Sequence, residues 1–149
     1  MPEFSTSVDI AAPPEIVFDH LVTAEGMTAW MGEWAELDAV PGGRFAADIN
    51  GTPVRGTFVE VDPPRRVVFT WGVPGSDDLP AGSSTVAFTL SPSRTGTRLD
   101  LLHSDLPESR AARHAAGWQH FTDRLQRYLA GEDVGPDPWT DPTASARNP

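Results

Sequence analysis

The chain has 149 residues, of which 39% are hydrophobic and 21% charged, the size and balance of a globular protein with one core. Its formal net charge of −10 repels phosphate backbones and anionic headgroups, which argues against nucleic acid and membrane surfaces as partners. The absence of Cys excludes disulfides, thiolate metal sites and cysteine nucleophiles.

At the N-terminus, MPEFSTSVDI has no basic stretch followed by an apolar run, and nowhere does the chain reach the roughly 18 consecutive apolar residues of a membrane span; a cytoplasmic protein is expected. Phe4, Thr6, Val8 and Ile10 alternate with Ser5, Ser7 and Asp9, which predicts a half-buried strand closed by Ala11-Ala12-Pro13-Pro14. Pro14 and Glu15 suit a first helical turn, and Ile16, Val17, Phe18 and Leu21 form the inner stripe of a short helix. Gly26 is expected to break that helix near Thr23, with a second short helical segment at Met27 to Met31 carrying Trp30.

From Glu33 to Leu102 the apolar period is close to two, the signature of strands. They are expected at Trp34 to Val40, Arg44 to Asn50, Val54 to Val61, Arg66 to Trp71, Thr85 to Leu90 and Thr97 to Ser104. Pro41-Gly42-Gly43 and Asp62-Pro63-Pro64 read as turns, and Asn50-Gly51 is the strongest hairpin signal. Gly72 to Ser83 is a loop rich in Gly, Pro and Asp, longer than the usual hairpin connection and of the kind that is often mobile or functional. In the final strand Thr97, Leu99, Leu101 and His103 share a face, which places a histidine at its inner end.

Leu106 to Gly131 carries the long helical signal. Ala111, Ala115, Trp118, Phe121 or Thr122, Leu125 and Tyr128 or Leu129 recur at the three-or-four spacing of one buried face. Pro107 with Glu108 marks the start and Gly131 the stop, and about 22 residues at 1.5 Å each span roughly 33 Å. A helix of that length needs a broad partner surface, which the strands supply. Residues 1–131 are therefore read as one domain and 132–149, rich in Pro and without periodicity, as a flexible tail from which Trp139 is able to fold back.

This order of elements resembles the START-like helix-grip fold of the Bet v 1 superfamily, also called SRPBCC. Particular stretches are similar to bacterial relatives of the activator of heat-shock protein 90 ATPase: Ala11-Ala12-Pro13-Pro14-Glu15-Ile16-Val17-Phe18, Trp30 with Trp34, and Gly42-Gly43-Arg44-Phe45. The likeness continues through Gly56-Thr57-Phe58-Val59-Glu60-Val61-Asp62-Pro63-Pro64, Phe69-Thr70-Trp71, Gly96-Thr97-Arg98-Leu99, and Leu102-His103 with Leu106-Pro107. It ends with His114 to Gly117-Trp118 ahead of Leu125, Tyr128-Leu129 and Gly131, and so covers about residues 4 to 131. The resemblance implies an α+β fold, a curved antiparallel sheet wrapped around the long helix, with a cavity between them that related proteins use for lipids, hormones and polyketides. It implies no shared catalytic set.

Lining residues for such a cavity are Trp30, Trp34, Phe45, Phe69, Trp71, Phe88, Trp118 and Phe121, whose flat rings suit an apolar guest; the alternative is that they simply pack the core. His103, facing the helix near Trp118, is the polar candidate, either as a ligand partner or as a satisfied structural histidine. Arg55 shares parity with Val59 and Val61 and so points inward as an anion anchor, whereas Gly56 with Phe58 argues for the opposite face, and a bulge decides between them. No metal is expected: His114 and His120 lie about 240° apart around a helix, His20 has no partner at helical spacing, and no acidic cluster surrounds any of them. No cofactor is expected either, since the Gly-rich turn opens a strand and not a helix. The leading expectation is a monomeric or homodimeric binder of a small hydrophobic ligand. An aromatase/cyclase-like enzyme using His103 or Arg55, and a co-chaperone-like module that meets a chaperone or another protein in the stress response, are the alternatives.

Overall fold

The structure, a computed structural model, describes residues 3–135. Ten elements follow in the expected order: β1 (Phe4–Ile10), α1 (Pro14–Val22), α2 (Ala24–Thr28), β2 (Trp34–Leu37), β3 (Arg44–Ile49), β4 (Thr52–Asp62), β5 (Arg66–Trp71), β6 (Ser84–Pro92), β7 (Thr97–Ser104) and α3 (Glu108–Leu129). The strands form one curved antiparallel sheet in the order β1-β7-β6-β5-β4-β3-β2, and the helix-grip fold is an α+β arrangement of this sheet with the long α3. Asn50 and Gly51, at φ 51° and 89°, turn the β3–β4 hairpin with the positive angles that an Asn-Gly pair tolerates, and their N–H groups donate to the Glu33 carboxylate.

Three boundaries differ from expectation for physical reasons. Gly26 does not end a helix but lies inside α2, because a Cβ there would come within 2.6 Å of the Asp19 carbonyl and 2.7 Å of His20 Cα where α2 folds back on α1. The break falls at Thr23, whose hydroxyl accepts from the Gly26 N–H and caps the new helix. β2 stops at Leu37, since Val40 N–H turns back to Asp38 O and Gly43 N–H to Val40 O.

The inner face of the sheet is aromatic. Phe45 on β3 lies opposite Gly56 on β4, and its ring reaches across that side-chain-free position to stack on Phe69 of β5, with centroids 4.1 Å apart at 12°. Phe58, Phe88 and Trp71 extend the cluster edge to face or tilted, and Phe88 meets Trp118 of α3 at 5.9 Å. Fully burying such rings stabilises the fold by roughly 2–3 kcal/mol each.

Anchors hold α3 across the sheet. At its C-terminal half Trp118, Phe121, Thr122, Arg124 and Leu125 are buried, and of the two alternatives at the next turn Leu129 packs against the core while Tyr128 is exposed. Gln126 donates to Asp9 O on β1, and the buried Arg124 donates to the carbonyls of Trp30, Val134 and Gly135, so the described start of the C-terminal stretch runs back along the helix. The rest of that stretch, with Trp139, lies outside the described residues. No described helix is long and apolar enough to cross a membrane.

Gly56 is the position where this packing tolerates least. Any Cβ there would collide with the Thr70 backbone carbonyl, so Gly56→Ala is expected to lower stability by about 1–3 kcal/mol. Urea unfolding measures it, and an unchanged midpoint would mean that β4 has room to shift.

Candidate functional site

Parity along β7 turns His103 inward, and antiparallel registry sets it beside Val86 of β6, one step from Ser84. Ser84 in turn pairs with Trp71 at the end of β5. Across the space above them α3 presents His114 and Trp118, one helical turn apart and on one face. The five side chains form a closed hydrogen-bonded group. The indole N–H of Trp118 donates to His103 Nδ1 at 2.9 Å, His103 Nε2 lies 2.8 Å from Ser84 Oγ, and the Ser84 hydroxyl donates to Trp71 O at 2.7 Å. The Trp71 indole N–H donates to His114 Nε2 at 3.2 Å, and His114 Nδ1 lies 3.0 Å from Arg110 O. The rings themselves touch, His103 and His114 at 5.2 Å and Trp71 and Trp118 at 5.2 Å between centroids.

An indole N–H only donates, so each tryptophan dictates the tautomer of its histidine. His103 must leave Nδ1 bare for Trp118 and carry its proton on Nε2, from which it donates to Ser84. His114 must leave Nε2 bare for Trp71 and carry its proton on Nδ1, from which it donates to Arg110 O. Both imidazoles are therefore neutral. Burial pushes the pKa of His103 down to about 3, with the neighbouring His114 acting in the same direction. Ser84 and His103 are adjacent but do not form a nucleophile and base: Nε2 would have to accept the serine proton, and it is already protonated and donating. What the group offers is an apolar wall with every polar atom matched.

The sequence-derived candidates divide. Phe45, Phe69, Phe88, Trp71, His103 and Trp118 come together in one contiguous cluster; Trp30 and Phe121 belong to the same buried core, with the Trp30 indole donating to His20 O. Arg55 and Trp34 do not join them. β4 bulges between Phe58 and Glu60, so Phe58 faces inward and Arg55 faces outward, where it bonds Asp48 at 3.1 Å and sits 5.3 Å over the exposed ring of Trp34. The expectation of an inward Arg55 anchor is corrected by that bulge, and an acid–base or enolate-stabilising role for it inside the fold goes with it.

His114 and Ser84 entered no sequence-based site, although position 114 lies on the same helical stripe as Ala111 and Trp118. The other feature missed is a latch. Residues 72–83, expected to be mobile or functional, are tied to the first turn of α3 through Asp78, which accepts from Arg110 at 2.9 and 3.0 Å and from Ser109 and Ser76. These bonds, the Arg110 one foremost, hold the Asp78 carboxyl well below the usual carboxylate range. Leu79 beside it is buried in the core.

The profile of the family described as "Activator of Hsp90 ATPase homolog 1-like protein" matches residues 11–130. The chain belongs to that family. Among solved structures, the AHSA1-like protein of Rhizobium etli is 38% identical, with 93% of this chain and 88% of that one covered at a TM-score of 0.73. An Hsp90 activator from Plasmodium falciparum is 26% identical over 86% of this chain and 96% of its own, at a TM-score of 0.72. DynU16, a putative protein in the dynemicin biosynthetic locus, is 24% identical over 91% of this chain and 50% of its own, at 0.76, and shares the fold. No curated protein matches the sequence. In this member of the AHSA1-like family the concave face thus carries two neutral, tryptophan-bonded histidines.

The lowered pKa of His103 makes stability depend on pH. The unfolded chain takes up a proton below about pH 6.5 that the folded chain refuses until about pH 3, so stability falls as pH falls through that window, by up to about 1.4 kcal/mol per pH unit. Above it the contribution is constant. Urea titrations at pH 7, 6 and 5 are expected to show this slope, and His103→Leu to flatten it while lowering stability at pH 7 by about 1–3 kcal/mol through the unpaired Trp118 N–H. An equal slope in the variant would assign the effect to other groups.

Proposed function

We propose that the protein binds a small, uncharged apolar or aromatic molecule between the sheet and the N-terminal half of α3, against Trp71, His114 and Trp118. One observation supports this above the others. On the inner stripe of α3 the C-terminal positions are sealed, whereas Ala111, His114 and Ala115 are only half-buried and two of the three are minimal side chains. A helix that closes on its sheet at one end and stands over it with alanines at the other leaves the aromatic wall approachable there. The latch between Asp78 and Arg110 closes the far end of that space.

The neutral fluorescent probe N-phenyl-1-naphthylamine is expected to bind at a single saturable site with energy transfer from tryptophan. Ala111→Phe fills the space beneath the helix, and is expected to weaken the probe about tenfold, roughly 1.4 kcal/mol, without loss of thermal stability. A variant that is destabilised and binds as before would mean that this space is already occupied by packing. Native mass spectrometry of the protein from its own host, under gentle and denaturing conditions, would then give the mass of any natural guest.

A protein-directed role is the second reading, and the observation favouring it is the Hsp90 activator from Plasmodium falciparum at 26% identity. The net charge of −10 favours a basic surface on any such partner. Addition of the protein to the Hsp90 of its host is expected on this reading to raise the ATPase rate; no change in rate together with no co-elution would remove it.

A further inference from the structure

The hydrogen bond that joins the mouth of this space also sets the chemistry of what enters it. Trp71 stands on β5 and is 5% exposed, and its indole N–H has one acceptor, His114 Nε2, which stands on α3. The donor is therefore on the sheet and the acceptor on the helix, at the half of that helix whose inner stripe is half-buried. A flat guest needs about 3.5 Å to the atoms on each of its faces, so a ring seated between sheet and helix carries His114 out of hydrogen-bonding reach of Trp71. The indole N–H then faces the guest in a space from which the guest has expelled water, and a buried donor without an acceptor is costly.

We infer that the guest is a planar, uncharged molecule bearing an acceptor oxygen, such as a ring ketone, and that the Trp71 N–H holds this oxygen in place of His114. The inference rests on the small-molecule reading above. Discrimination resides at Trp71 and not at Trp118, because Trp118 and His103 are both fully enclosed and their 2.9 Å bond lies deeper than the mouth. An anionic guest is disfavoured, since the Arg110 charge at this end is matched by Asp78 and the chain as a whole is acidic. His114 is on this account a positioning residue and a resident competitor: it occupies the donor while the site is empty and yields it when the oxygen arrives.

Fluorene and 9-fluorenone have nearly the same shape and differ in one carbonyl, which makes them the test pair. By isothermal titration 9-fluorenone is expected to bind about tenfold more tightly, equivalent to ~1.4 kcal/mol, and it alone is expected to move the Trp71 indole cross-peak in a 15N–1H spectrum of the five tryptophans. Trp71→Phe removes the preference while fluorene still binds. His114→Leu keeps the bulk of the side chain but frees the donor, so it widens the ratio between the two ligands. This variant and the indole shift decide the matter should Trp71→Phe not fold. Equal binding of both ligands overturns the inference and leaves the small-molecule reading standing; binding of neither overturns both.

Discussion

Burying an indole obliges a fold to bring an acceptor to its N–H, and much of this structure is arranged around meeting that obligation twice on one concave face. Trp118 finds His103 and Trp71 finds His114, so in each case the donor and the acceptor lie on opposite sides of the space between sheet and helix. The two bonds have opposite polarity. The helix donates to the sheet at Trp118, and the sheet donates to the helix at Trp71. Together they hold α3 in azimuth as well as in height, because rotating the helix would lengthen at least one of them. They also keep both imidazoles neutral, since a protonated ring nitrogen has nothing to offer an N–H.

The remaining packing is consistent with that constraint. Gly56 clears a path for Phe45 to stack on Phe69, which carries the aromatic layer from β3 across to β5 and on to α3. The C-terminal half of α3 is held by buried groups, Leu125, Thr122 and the Arg124 guanidinium on three carbonyl oxygens. Its N-terminal half is held by the Asp78 latch, in which the Arg110 side chain is mostly buried but the Asp78 carboxyl is considerably more exposed. Ion pairs near solvent contribute less than buried apolar contacts of similar extent. The helix is thus fastened unevenly, and its looser end coincides with the mouth where Trp71 and His114 meet. Membership of the AHSA1-like family accounts for the scaffold, and members of a family so broad share a sheet and a helix while differing in what those elements present.

Much of the fold was legible in the sequence, because strand alternation and helical spacing are local: which residues share a face follows from backbone geometry alone. Thr97, Leu99, Leu101 and His103 point inward as their parity requires, Asn50-Gly51 makes its turn, and the stripe through Trp118 and Leu125 is the buried one. Local rules fail where one residue changes the count. The bulge between Phe58 and Glu60 reverses the relation between Arg55 and the strand beyond it, and places Arg55 with Trp34 on the outer face. Gly26 misleads in the same way, since its missing side chain answers to the approach of α1 and not to the conformation of its own segment. The sequence by itself therefore determined the order of elements, the aromatic inner face and the inward turn of His103. Only the tertiary structure decided that Trp71 meets His114, 43 residues away, that Ser84 completes the group, and that Asp78 reaches Arg110. Those meetings depend on which strands are neighbours and on how α3 lies across them, and no periodicity within a single element encodes either.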